Sequence, residues 1–138
     1  MFIDGLMDLF AEQIISHYEH PHNKGRLGKP SSKMHELNTT CGDEITMYLE
    51  IANGKVKDAK FEGSGCAISM ATASMLTDYI KGRGVSELER MGVKDIIDLI
   101  GLDPGPARLK CATLSLRAMK EALFLFEHKK VDDATKTL

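Results

Sequence analysis

The sequence lacks any apolar run approaching the roughly 20 residues that a membrane helix needs, so no spanning helix is expected. It lacks a basic excess: 18 Lys and Arg stand against 20 Asp and Glu, for a net charge of −2. Nothing in that balance draws in a phosphate backbone, which argues against a nucleic-acid partner. A secretory signal would begin with basic and then apolar residues, but Asp4, Asp8 and Glu12 occupy that stretch. The expected location is the cytoplasm, where thiols stay reduced. Internal repeats, low-complexity tracts and an inter-domain linker are absent. Cysteine is scarce: Cys41, Cys66 and Cys111 make an odd count that cannot pair fully within the chain. Their gaps of 25 and 45 positions exclude a CxxC zinc knuckle or redox motif. Gly63-Ser64-Gly65 lacks the Lys-Ser/Thr pair that completes a P-loop. Five histidines are present, yet no local signature marks a Cys–His hydrolase.

What is present describes a soluble globular chain. Its 138 residues are 43% hydrophobic and 28% charged, the size of one domain with an ordinary core. Residues 4–19 carry Leu6, Leu9, Phe10, Ile14 and Tyr18 at helical spacing, and His20-Pro21 ends that helix. Residues 20–33 form a loop rich in Pro and Gly, and a short strand is expected through Met34–Thr40. Ile45, Met47, Leu49 and Ile51 alternate with Glu44, Thr46, Tyr48 and Glu50, the pattern of a half-buried strand. Asn53-Gly54 supplies a tight hairpin turn. On the return strand Val56 is out of phase with Ala59 and Phe61, which asks for a bulge or a late start.

A helix of mostly small residues follows from about Cys66 to Lys81, closed by Gly82 and Gly84. Residues 85–101 predict one or two short helices with Val93, Ile96, Ile97 and Ile100 as their stripe. Asp103-Pro104 reads as the N-cap and first turn of the last helix, with a start delayed by Pro106 as the alternative, and that helix is expected to reach about His128. Its stripe is Leu109, Ala112, Leu116, Met119, Leu123 and Phe126. Helix, two or three antiparallel strands and then helices predict an α+β two-layer fold, with helices on one face of a small sheet. The eight methionines are most simply core.

Each cysteine falls at an element boundary, where side chains can converge. Cys41 precedes the hairpin in Cys41-Gly42-Asp43, Cys66 follows Gly65 at a helix start, and Cys111 lies in the first turns of the last helix. Gly42 permits a tight turn that could aim Cys41 and Asp43 at one point. A helix start places partial positive charge and free N–H groups beside Cys66. Three thiols and one carboxylate suit tetrahedral zinc, and thiolates also hold iron–sulfur clusters. An oxygen ligand grips an iron–sulfide unit less firmly than a fourth thiolate, so the cargo would be able to leave. The plainer readings are small buried cysteines and a solvated turn aspartate. His17, His20 and His22 could bind a metal, but a helix-end stripe running into a loop explains them as well.

These residues make the chain resemble the IscU/SufU/NifU-N-terminal family of iron–sulfur cluster assembly scaffolds. The matching segments are HYEHPHNKGRL at 17–27, CGDEITMYLEI at 41–51, KDAKFEGSGCAISMATASMLTDYIKG at 57–82 and PARLKCATLSLRAMKEAL at 106–123. The resemblance implies a three-stranded antiparallel sheet with helices packed on one face. It implies one scaffold domain over 1–138, with an N-terminal helix at 1–19 and a frayed tail at 129–138. Cys41, Asp43, Cys66 and Cys111 would hold a transient [2Fe-2S] cluster, or zinc at the same place, with Cys111 as persulfide acceptor and Asp43 tuning lability. Lys110, Gly42 and Gly65 would stand beside those ligands.

The implied partners are a cysteine desulfurase, apo iron–sulfur acceptor proteins and a second copy of the chain. The segment at 17–27 matches one that lies near partner and dimer contacts in relatives. Lys110 replaces the His that IscU members carry before the third cysteine. Gly105-Pro106-Ala107-Arg108 replaces their LPPVK chaperone motif. Lys110 and the Pro-Ala-Arg-Leu-Lys-Cys run at 106–111 resemble the SufU branch, although SufU members carry an insertion between the second and third cysteines and the gap here is short. The implied function is a scaffold and carrier, not an enzyme in the strict sense. The alternatives are a zinc-dependent sulfurtransferase, or a binding module with structural zinc.

Overall fold

A computed structural model describes the backbone from Phe2 to Leu138 and the side chains from Ala11 onward. Helix α1 (Phe2–Glu19) leads into strands β1 (Ser32–Asn38), β2 (Asp43–Ala52) and β3 (Lys55–Ser64). Helices α2 (Ala67–Ile80), α3 (Val85–Glu89), α4 (Val93–Ile100), α5 (Leu109–Phe126) and α6 (Asp133–Lys136) follow. The three strands form one antiparallel sheet in the order β1-β2-β3. Leu6, Leu9 and Phe10 of the predicted stripe lie outside the described side chains. Farther along α1, Ile14 is buried while Tyr18 stays exposed.

The alternation in β2 does what its period requires. Ile45, Met47, Leu49 and Ile51 are buried on one face, and α5 and α2 pack there. The phase problem in β3 resolves as a bulge: Glu50 pairs with Asp58 and Ile51 with Val56, leaving Lys57 unpaired. Val56 thereby joins Ala59 and Phe61 in the core, all three without measurable exposure. Asn53 and Gly54 both take positive φ at the hairpin turn. The free edge of β3 is covered, since the Phe61 amide donates to the Asn23 carbonyl and the Gly25 amide to the Phe61 carbonyl.

Strand β1 continues the sheet because a four-residue turn, Thr39–Gly42, brings Asn38 opposite Asp43. Gly42 sits at φ +76° and its amide donates to the Asn38 carbonyl at 2.8 Å. Helix α5 is the centre of the molecule, packing on β1, β2 and α2, and residues Cys111–Leu116 are all buried. A helix apolar nearly all round belongs inside. Its Lys120 is buried too, with Nζ donating to the Met91 carbonyl at 2.7 Å.

Several boundaries differ from the sequence reading, the first being β1, which runs over Ser32–Asn38 instead of Met34–Thr40. Asp103-Pro104 does not start α5: Asp103 accepts the Gly105 amide in a local turn, and the helix begins at Leu109 after Pro106. The polar tail expected to fray carries α6 instead. Asp132 caps it by accepting the Thr135 amide at 2.9 Å, and Thr135 and Leu138 are buried. Across the molecule, Glu89 is buried with its Oε2 unpartnered, and Lys129 approaches its Oε1 at 3.7 Å. Burial and the neighbouring Glu127 raise its pKa to about 7.

Candidate functional site

The three cysteines come to one end of the sheet. Cys41 rides on the β1–β2 turn, Asp43 opens β2, Cys66 caps α2 just after β3, and Cys111 lies in the first turn of α5. One ligand atom each from Cys41, Asp43 and Cys111 falls within 4.8 Å of the others, and the Cys41 and Cys111 sulfurs are 3.3 Å apart. The Cys66 thiol stands outside this tight group, near the Ser69 hydroxyl at 3.9 Å. Its backbone belongs to the site, because the Cys66 amide donates to Asp43 Oδ1 at 3.1 Å. Cys41 and Cys66 are exposed, and the Cys66 thiol already acts on the Asp43 carboxyl and on the Cys111 thiol.

Asp43 is 4% exposed, and its Oδ2 is buried with no hydrogen-bond partner. A buried carboxylate oxygen without a donor is costly. Burial pushes the Asp43 carboxyl up, but the Cys41 and Cys111 thiols and the Cys66 amide outweigh it and hold the group below its ordinary value. Asp43 is therefore ionised with one oxygen still open. Cys111 goes the other way: burial first, then Cys41 and Asp43, push its thiol far up, so it is protonated when the site holds nothing. A bound cation answers both conditions by accepting the orphan oxygen and displacing the thiol proton. The donor set of thiolates plus one carboxylate fits zinc or an iron–sulfide unit.

Two features of this site have a weak trace in the sequence. Gly65 is required by contact: a Cβ there would lie 2.8 Å from Asp43 Cγ and 2.6 Å from Ser69 Oγ. The Gly-Ser-Gly run signals only that some backbone approaches closely. Asn38 carries no signal in the sequence that marks it as part of a site. Its Nδ2 points at Cys111 Sγ at 3.8 Å and its Oδ1 accepts the Thr40 amide, so it braces the turn that carries Cys41. Gly42 supplies the left-handed corner of the same turn. Lys110 is exposed, and its ammonium donates to the Thr137 carbonyl at 3.0 Å. Of the three N-terminal histidines, His17 and His22 meet and His20 does not join them.

Fold and site together define a small α+β domain that gathers thiols and an ionised carboxylate at one rim of its sheet. Residues 9–133 match the model of the NifU-like N-terminal domain, and the chain belongs to that family. It is 38% identical to the zinc-dependent sulfurtransferase SufU of Bacillus subtilis (strain 168), over 88% of this chain and 94% of that protein. It is 35% identical to the iron–sulfur cluster assembly scaffold protein IscU of Thermotoga maritima, covering 83% of this chain and 92% of that one. Among solved structures, FiSufU of Fervidobacterium islandicum AW-1 superposes with a TM-score of 0.72 at 26% identity, over 81% of this chain and 94% of that chain. The N-terminal part of a NifU-like protein from Brucella abortus shares the fold, with a TM-score of 0.73 at 21% identity over 91% and 99% of the two chains. Among the described residues no helix is long and apolar enough to cross a membrane.

Proposed function

We propose that this protein is a cytoplasmic scaffold on which an iron–sulfur cluster is built and from which it is passed to apo-proteins. The observation that carries this reading is the orphan Oδ2 of Asp43 beside two thiols in contact. Cys41, Asp43, Cys66 and Cys111 are the proposed ligands of a transient [2Fe-2S] unit. Three thiolates hold the iron, and the single carboxylate leaves one weak corner through which the cargo departs.

Sulfur arrives as the terminal sulfur of a desulfurase persulfide. A thiol here attacks that sulfur as it gives up its proton, the new S–S bond forms, the donor S–S bond breaks, and the donor's departing sulfur takes the proton and leaves as a thiol. Cys111 is the proposed acceptor. It is buried beside the exposed Cys41, so a donor has to displace the Cys41 side chain to reach it. Cys111→Ser should abolish persulfide on this chain; undiminished persulfide by mass spectrometry would assign the acceptor elsewhere.

The second reading is a zinc-dependent sulfurtransferase, favoured by the 38% identity to the B. subtilis protein of that name. Zinc would sit on the same four residues and would keep their thiols deprotonated and ordered. Anaerobic reconstitution with a cysteine desulfurase, cysteine, ferrous iron and reductant separates the two. A bound iron–sulfide chromophore that moves to an apo-ferredoxin supports the scaffold. Retained zinc, no chromophore and faster desulfurase turnover support the sulfurtransferase.

A further inference from the structure

Away from the thiols, the end of α1 and the loop after it meet the second half of α2. One ring nitrogen each of His17 and His22 and one carboxylate oxygen of Asp78 lie within 4.8 Å of one another. The two rings are 4.6 Å apart and tilted by 53°. His22 Nδ1 and Asp78 Oδ2 are 2.5 Å apart, joined by a single hydrogen bond. A carboxylate and two imidazoles at this spacing form a donor set for a divalent transition ion.

The cluster is braced from outside. Ser74 Oγ contacts His17 Nδ1 at 2.7 Å and accepts the His22 amide at 2.7 Å. Asn23 Nδ2 donates to Asp78 Oδ1 at 2.8 Å and to Thr77 Oγ1 at 3.0 Å. Hydrogen bonds from outer partners orient ligating histidines and carboxylates in most metal sites. Solvent reaches the cluster: the His22 and Asp78 side chains are 56% and 45% exposed. An open hollow of about 280 Å³ adjoins it, lined by His17, Asp78, Gln13, Met75, Tyr79 and Leu99. Lys81, which contacts Asn23, is offset by Asp58 at 3.4 Å.

We propose that His17, His22 and Asp78 form a second metal site, taking a borderline divalent ion such as Zn²⁺ and tying α1 and the His22 loop to α2. Binding exchanges the proton between His22 and Asp78 for the ion. The two atoms part from 2.5 Å so that each can approach the ion at about 2.0–2.2 Å. Three donors with no thiolate among them, two on largely exposed side chains, grip a zinc-class ion less firmly than three thiolates and a carboxylate, so this site fills after the thiol site and holds its ion more loosely.

The test uses the full chain, first given one equivalent of Zn²⁺ and then titrated with more. Calorimetry counts the equivalents, and ¹H–¹⁵N NMR of the imidazole nitrogens reports which of the five histidines responds. The expected result is a second equivalent that shifts His17 and His22 and leaves His20, His35 and His128 in place. That equivalent should weaken at least tenfold in both His22→Gln and Asp78→Asn, and persist in His20→Gln. Both weakening substitutions are at exposed side chains, so the fold survives them. A response at other histidines, no second equivalent, or a second equivalent unchanged in His22→Gln and Asp78→Asn would each overturn the proposal. The histidine signals report on this cluster whatever the thiols hold, so the result stands apart from the scaffold reading.

Discussion

Asp43 and Glu89 are both buried carboxylates with one oxygen left without a hydrogen-bond partner, yet they resolve the problem in opposite ways. Around Asp43 stand donors, the Cys66 amide and the thiols of Cys41 and Cys111, and they keep the group charged. Around Glu89 burial acts with a second carboxylate, Glu127, and Lys129 at 3.7 Å only partly offsets them, so the group holds a proton up to about pH 7. An orphan oxygen alone therefore does not mark a metal site. It does so where the surroundings hold the charge and supply further soft donors, and elsewhere a proton fills the gap.

The strongest test of this contrast is at Gly65, where the backbone makes room for Asp43. Gly65→Ala drives a methyl group into the carboxylate and the Ser69 hydroxyl. It should cost about 1–3 kcal/mol of stability by thermal or urea unfolding and weaken zinc retention by roughly 10–100-fold in a chelator competition. Unchanged zinc retention would mean that Asp43 is not a ligand.

Glu89 gives the next effect, on pH dependence. Its folded pKa lies above the unfolded value, so its stabilising contribution is complete below about pH 4.5 and is lost as the pH rises through about 7. The upper limit of that loss is about 3 kcal/mol. Glu89→Gln stays neutral throughout and should remove the slope, leaving the variant more stable than the parent at pH 8. A parallel pair of stability–pH curves would show that Glu127 or Lys129 carries the titration instead.

Ser74→Ala removes the hydroxyl that braces both His17 and His22. It should cost about 1–2 kcal/mol and leave zinc at the thiols unaltered. Ser74 lies eight positions beyond Cys66, about 12 Å along the axis of α2. A change in thiol-bound zinc would show that the two ends of α2 are coupled. The smallest structural change is expected for Asp43→Ala, which trades a costly buried charge for space. Its effect should be kinetic: the assembled cluster is released more slowly to an acceptor, as followed by visible absorption. Equally fast loss would remove Asp43 from control of release.

Much of this molecule was legible in one dimension. The alternation over 45–51, the Asn53-Gly54 turn and the out-of-phase Val56 predicted the hairpin and its irregularity, because strand period and turn geometry act over a few residues. The start of α5 was ambiguous in sequence between Asp103 and a point beyond Pro106, and the later start holds because Asp103 closes a local turn instead of capping a helix. The tail at 129–138 read as polar and loose. Yet Asp132 caps α6, and Leu138 packs against the hydrophobic core.

By itself the sequence determined that three thiols and an aspartate fall at element boundaries, since boundaries follow from local period, Gly and Pro. Only the tertiary structure decided that Asp43 lies against Gly65, and that Cys111 is buried while Cys41 and Cys66 face water. It also paired His22 with Asp78, 56 positions away, leaving His20 outside. Those pairings depend on how α5 and α2 pack across the sheet, and packing answers to the summed shape of the whole core, which no short window of sequence contains.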